Sequence, residues 1–189
     1  MQDEPKARIV VPVATVAYLL LFLGGVLWLW GQGRKPCAEG ALAPLRVFRD
    51  AGVGVAAAGL LSLLSALLSR RARWVRRLER EFKLLLGPLT AGEILVLALL
   101  SGGVEEFFFR GAMQPVLGLA GTSLLFGLLH VGPKRAFLPW TAFAVAMGFF
   151  LGFLYEATGS LVAPAAVHVC VNLVSLARIN SISLDPADP

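Results

Sequence analysis

Charge is scarce in this chain. Lys, Arg, Asp and Glu make up 15% of its 189 residues, where a soluble domain carries roughly a quarter. Hydrophobic residues supply 57%, and the mean hydropathy is +0.76. The shortage argues against a water-solvated globule and points to lipid as the solvent. Cysteine is nearly missing too. Cys37 lies in a loop and Cys170 in an apolar run, so no disulfide framework is indicated. Histidine is as rare, with His130 and His168 alone. Internal repeats and low-complexity tracts are also lacking.

The formal net charge is +5. A basic balance can mean nucleic acid, but these charges flank apolar segments. Membrane orientation and anionic headgroups select that pattern. The expected partner is therefore a lipid bilayer and not a nucleic acid. Arg outnumbers Lys, and Ala, Gly and Leu abound, which suits a GC-rich bacterial genome. The expected location is a bacterial inner membrane, crossed several times.

A spanning helix needs about 20 apolar residues. Residues 9–30 and 51–68 satisfy this. The first run is too long for a signal-peptide core and no small-residue cleavage site ends it, so it reads as an uncleaved span. Between the two lies a loop broken by Gly and Pro. The Arg-rich stretch that follows has Trp74, Val75, Leu78, Phe82 and Leu85 at roughly helical spacing. It reads as an interfacial helix on an anionic surface, or as a basic loop that only sets topology. Thr90 and Glu93 form a T-x-x-E capping box, which predicts a helix through Gln114, with Gly102-Gly103 bending or loosening it. Further spans are predicted at residues 118–131, 139–157 and 161–177, ahead of a polar, frayed tail. The expected fold is all-α: a polytopic bundle of about six spans in a single membrane domain covering residues 1–189. Its core is placed at about 90–177, the first two spans within 9–68 and the basic segment at 70–88. Placing the Arg-rich segment in the cytoplasm puts both termini there, with Lys6 and Arg8 on that side. The loop carrying Arg34, Lys35, Arg46 and Arg49 then faces outside, against the rule.

Ionisable groups within apolar spans cost about 2.5–3.5 kcal/mol each at a helix centre and mark function by default. Glu105, Glu106 and Arg110 occupy one such span, His130 and His168 two others. Glu106 and Arg110 are i and i+4, the acid first, so they can pair on one face. Glu105 is turned about 100° from Glu106 and is left to face a cavity. His168 and Asn172 are also i and i+4, and both can donate to a developing oxyanion. His130 can help Glu105 hold and activate a water. Taken singly, each group has a structural reading: a packing salt bridge, an interhelical contact, interhelical glue. Their joint occurrence on three spans favours a site. Glu93 and Glu156 read as a cap and an interface residue, and Phe107, Phe108 and Phe109 as lipid-facing or core. By counting, Glu105 and His168 fall in the outer half of the bilayer and His130 near the opposite end of its span. Either that helix is short and tilted, or the topology is wrong.

Glu105-Glu-Phe-Phe-Phe-Arg110 resembles the EExxxR motif of the CPBP family, the CAAX-protease and bacteriocin-processing family. Phe126-Gly-Leu-Leu-His130 is similar to its FxxxH motif, and His168-Val-Cys-Val-Asn172 to its HxxxN motif. The three occur in order over roughly residues 90–177. The resemblance implies an intramembrane glutamic endopeptidase of helical fold, with no cofactor and no metal. It implies that Glu105 and His130 activate water, that His168 and Asn172 form the oxyanion hole, and that Glu106 and Arg110 support them. The implied partner is a membrane-anchored protein, cut near its C-terminus as in CAAX processing or in the removal of a sorting signal by myxosortase-like enzymes. Three other readings compete. The bundle could be a non-catalytic scaffold or immunity protein, the Glu and His groups could form a proton or ion pathway, or they could bind zinc.

Overall fold

Helix is the one kind of regular structure among the described residues, 7–36 and 41–184 of a computed structural model. Cys37, Lys6 and the last residues of the polar tail lie outside them. The chain forms α1 (Ala7–Gln32), α2 (Pro44–Arg71), α3 (Arg73–Leu86) and α4 (Ala91–Leu99). Two π-helical stretches follow, Leu100–Val104 and Phe107–Met113, then α5 (Gln114–Leu128), α6 (Leu138–Thr158) and α7 (Val162–Asn180). Pro44 opens α2 at a position where the missing N–H is harmless. The capping box at α4 forms as the spacing predicts: Thr90 N donates to Glu93 Oε2 at 2.7 Å, and Glu93 N donates to Thr90 Oγ1 at 3.2 Å.

The chain is all-helical and apolar enough for a membrane, but the six expected spans are not reached by length and composition. Among the described residues four helices qualify: Ile9–Gln32, Pro44–Arg71, Arg135–Thr158 and Val162–Asn180. A fifth is counted if Arg73–Leu86 and Ala91–Leu128, bent by 104°, are one broken span. The physical reason lies in Ala91–Leu128. Its first part holds Glu93, Glu105, Glu106 and Arg110, and the part after Gly118 is far shorter than about 20 residues. Gly118 has φ 71°, a left-handed value that only glycine adopts freely. The helix doubles back there. Phe109 and Phe126, on either side of the turn, stack edge to face at 5.1 Å.

Small residues let the helices approach closely, as membrane packing requires. A Cβ at Gly54 would meet Ala163 O at 2.6 Å, so α2 lies directly on α7. One at Gly102 would meet the backbone N of Val169 at 2.5 Å, which brings the π-helical stretch against α7. Gly127 and Gly148 do the same between α5 and α6. The outer faces of α1 and α2 are apolar and exposed, with Leu20, Leu27, Leu60 and Leu63 among them. They have the chemistry of a lipid-facing surface. The amphipathic α3 places Val75, Leu78 and Phe82 toward a cavity of about 460 Å³ inside the bundle, while Arg73, Arg76 and Arg77 are exposed.

Candidate active site

Glu105 and Glu106 sit between the two π-helical stretches, and their side chains diverge. Single-turn π segments shift helix register and recur at functional sites. Glu106 is fully buried, against Arg110, which is also fully buried. The pairing expected from i,i+4 spacing is present. Arg110 Nη1 donates to Glu106 Oε1 at 3.3 Å. Arg110 Nε lies 3.2 Å from Glu106 Oε2, an ionic contact without hydrogen-bond alignment. Arg110 Nη2 donates to Gly148 O at 3.0 Å, and its guanidinium stacks 4.6 Å from the Phe126 ring centre.

Glu106 has a second partner that helix spacing could not reveal. His168 Nδ1 lies 2.7 Å from Glu106 Oε1. A carboxylate only accepts, so Nδ1 carries the proton in this contact. That leaves Nε2 of His168 aimed at Glu105 Oε2, 4.0 Å away. The two glutamates thus face opposite nitrogens of one imidazole.

His130 approaches Glu105 from the other side. Its Nδ1 is 2.7 Å from Phe126 O. A carbonyl has no proton to give, so Nδ1–H is the donor and Nε2 of the neutral ring holds a free lone pair. Nε2 stands 3.6 Å from Glu105 Oε2. The turn at Gly118 removes the conflict over depth. Glu105 stands 13 residues before Gly118 and His130 stands 12 after it. At about 1.5 Å per residue, the chain runs roughly 20 Å out and 18 Å back. His130 therefore returns to the level of Glu105, just past the end of α5, on a short arm.

Glu105 Oε2 is buried without a hydrogen-bond partner. Its other oxygen, Oε1, accepts from the hydroxyl of Tyr18 on α1 at 2.8 Å. Asn172 Nδ2 donates to Ser101 Oγ at 2.8 Å, and Ser101 Oγ donates to Leu97 O at 2.8 Å. One amide hydrogen of Asn172 stays uncommitted in these contacts. Glu105, His130, His168, Asn172, Tyr18 and Ser101 all border the 460 Å³ cavity. The structure thus brings Glu105, His130 and His168 to one point. Asn172 lies on the same wall, and Glu106 with Arg110 lies behind it. Tyr18 and Ser101 escaped the reading of the sequence. Tyr18 is one of only two tyrosines, but nothing in its local pattern says which helix it faces.

Among the described residues no group of three or more His, Cys, Asp or Glu side chains is arranged to hold a metal ion. The three side chains that converge span 3.6–4.0 Å between nitrogen and oxygen.

The family model described as type II CAAX prenyl endopeptidase Rce1-like matches residues 87–174. That segment is similar to Rce1-like domains of the CPBP family. A stretch of 88 residues is 38% identical to the uncharacterized protein YpbD of Bacillus subtilis (strain 168), covering 46% of this chain and 45% of that protein. The chain thus spans less than half the length of that relative. No solved structure matches. The matched stretch, residues 87–174, contains Glu105, Glu106, Arg110, His130, His168 and Asn172. Helices α1, α2 and α3 lie before it, and Tyr18 with them.

Proposed function

We propose that the chain is an intramembrane glutamic endopeptidase that works without a metal. It cuts near the C-terminus of membrane-attached proteins, in a bacterial inner membrane. The observation that carries this reading is the buried, unpartnered Oε2 of Glu105, facing Nε2 of His130 at 3.6 Å and Nε2 of His168 at 4.0 Å. Gaps slightly longer than a hydrogen bond are those a bridging water fills. The Rce1-like stretch supports peptidase chemistry, and the name of its family model supports a C-terminal site of cleavage. The apolar cavity beside Glu105 supports a substrate that arrives from the membrane.

In this mechanism a water lies between Glu105 and His130. Glu105 takes its proton as the oxygen attacks the scissile carbonyl, a role worth about 10²–10⁴-fold. The carbonyl oxygen becomes an oxyanion and receives hydrogen bonds from Nε2–H of His168 and the free amide hydrogen of Asn172. One such donor contributes about 10²–10³-fold. For Nε2 to donate while Nδ1 donates to Glu106, the His168 ring carries two protons, and Glu106 is the counter-charge. The carbon–nitrogen bond then breaks, and the leaving amine takes the proton held by Glu105.

The test is a comparison of C-termini in the membrane proteome. Cells carrying the wild-type chain and cells carrying Glu105→Gln are compared by mass spectrometry of C-terminal peptides. Longer, uncut C-termini should accumulate in the variant for at least one membrane protein. Identical C-termini in both strains would remove the endopeptidase reading and favour a scaffold.

A further inference from the structure

The Rce1-like stretch holds the six motif residues, but it does not hold the group that fixes the orientation of Glu105. Among the described residues, the hydrogen-bond donor on the Glu105 carboxylate is the hydroxyl of Tyr18, at 2.8 Å. The other carboxylate oxygen has no hydrogen bond. Two-fold rotation about the last side-chain bond is cheap for a free carboxylate. A single strong donor on Oε1 selects the orientation in which Oε2 points between the two imidazoles.

Tyr18 is held to that task by its own helix. Tyr18, Phe22 and Gly25 stand at i, i+4 and i+7, so they share one face of α1. Phe22 packs on Phe107 with ring centres 4.9 Å apart. A Cβ at Gly25 would come within 2.8 Å of the Phe107 ring, and one at Gly24 within 3.9 Å of Phe108. The glycine pair is a notch that receives the phenylalanines following Glu105. The notch sets the register of α1 against the motif helix, and the register sets Tyr18 opposite Glu105. Tyr18 also lines both cavities that reach Glu105.

We propose that Tyr18 is a positioning residue for the reaction, holding Glu105 through Oε1 so that Oε2 faces the water, and that α1 is therefore part of the active site. This rests on the reading of Glu105 as the base. A tyrosine that merely packs would act through its ring, and phenylalanine would replace it. A positioning tyrosine acts through its oxygen.

Two measurements on the full chain separate these. The first reads cleavage of a substrate found by the proteome comparison. Tyr18→Phe should lower kcat by about 10–100-fold, as expected for one hydrogen bond to a charged group, with KM within about twofold. Leu19→Ala, on the exposed face of the same helix, should leave both unchanged. The second does not depend on activity. The chain has two histidines, so ¹⁵N-histidine labelling in micelles yields two imidazole rings. Glu105→Ala should move the ring signals of both, and Tyr18→Phe should move them too, because the carboxylate loses its orientation. Unchanged ring signals in Tyr18→Phe, alongside shifted ones in Glu105→Ala, overturn the proposal. So does wild-type kcat in Tyr18→Phe. If instead Glu105→Gln cleaves normally while Tyr18→Phe still shifts both rings, the positioning contact stands and the base assignment falls.

Discussion

Two polar clusters line the same cavity, and they are spaced differently. Around Glu79 the carboxylate is paired. Ser69 Oγ donates to Glu79 Oε1 at 2.6 Å, Arg178 Nη2 reaches the same oxygen at 2.6 Å, and Arg178 Nη2 also donates to Ser65 Oγ at 2.9 Å. Around Glu105 the groups stand off. Oε2 has no hydrogen bond, and both imidazole nitrogens keep 3.6 Å or more from it. Both clusters are carboxylates in apolar surroundings, where an unpaired polar group is expensive. The first meets that cost by pairing, which ties α3 to α2 and α7. The second is paired at Oε1 by Tyr18 and leaves Oε2 toward the cavity, where a small molecule can meet it. What distinguishes the Glu105 cluster is that its open carboxylate oxygen faces two imidazoles across a cavity.

The comparison can be broken at either end. The largest effect is expected at Glu105→Gln, which keeps shape and removes the base. Turnover should fall about 10³-fold while the thermal melt stays within a few degrees. Near-normal turnover would mean that the open cluster is not the site. Glu106→Gln comes next. It leaves Arg110 buried without its counter-charge and should cost about 3–5 kcal/mol, read as a lower denaturation midpoint in detergent. An unchanged midpoint would remove Glu106 from its structural role. Asn172→Ala removes one donor from the cavity wall and should lower kcat about 10²-fold without altering the melt. Equal kcat would assign the oxyanion to His168 alone. Arg178→Met sharpens the other side. It should lower stability by about 1.5–3 kcal/mol and leave kcat within a few-fold, and a variant that melts normally but loses turnover would reverse the two roles. The smallest effect is expected from a chelator: turnover after EDTA should match the untreated protein. Loss of turnover restored by zinc would replace the water-and-glutamate scheme with a metal-assisted one.

Local features were legible in the sequence because they depend on near neighbours. The Thr90–Glu93 cap follows from a three-residue spacing, and the Glu106–Arg110 pair from one helical turn. The long apolar helices follow from composition, and α2 differs from its expected range mainly by extending at both ends. Counting along a straight span puts His130 far from Glu105, whereas the turn at Gly118 brings it back. The local sequence PVLGLAG offers a glycine at 118, but a glycine inside an apolar run is compatible with a straight helix as well as with reversal. The bond from His168 to Glu106 crosses 62 positions, and the bond from Tyr18 to Glu105 crosses 87. No periodicity reports contacts at such separations.

The sequence by itself determined the solvent, the helical class and the identity of the groups that have no ordinary reason to be in lipid. Those follow from hydropathy and from side-chain chemistry, which each residue carries with it. Only the tertiary structure decided that His168 pairs with Glu106, where His130 sits, and that α1 supplies a hydroxyl to Glu105. Those depend on a reversal at one glycine and on the close approach of helices at others, and packing decides them jointly.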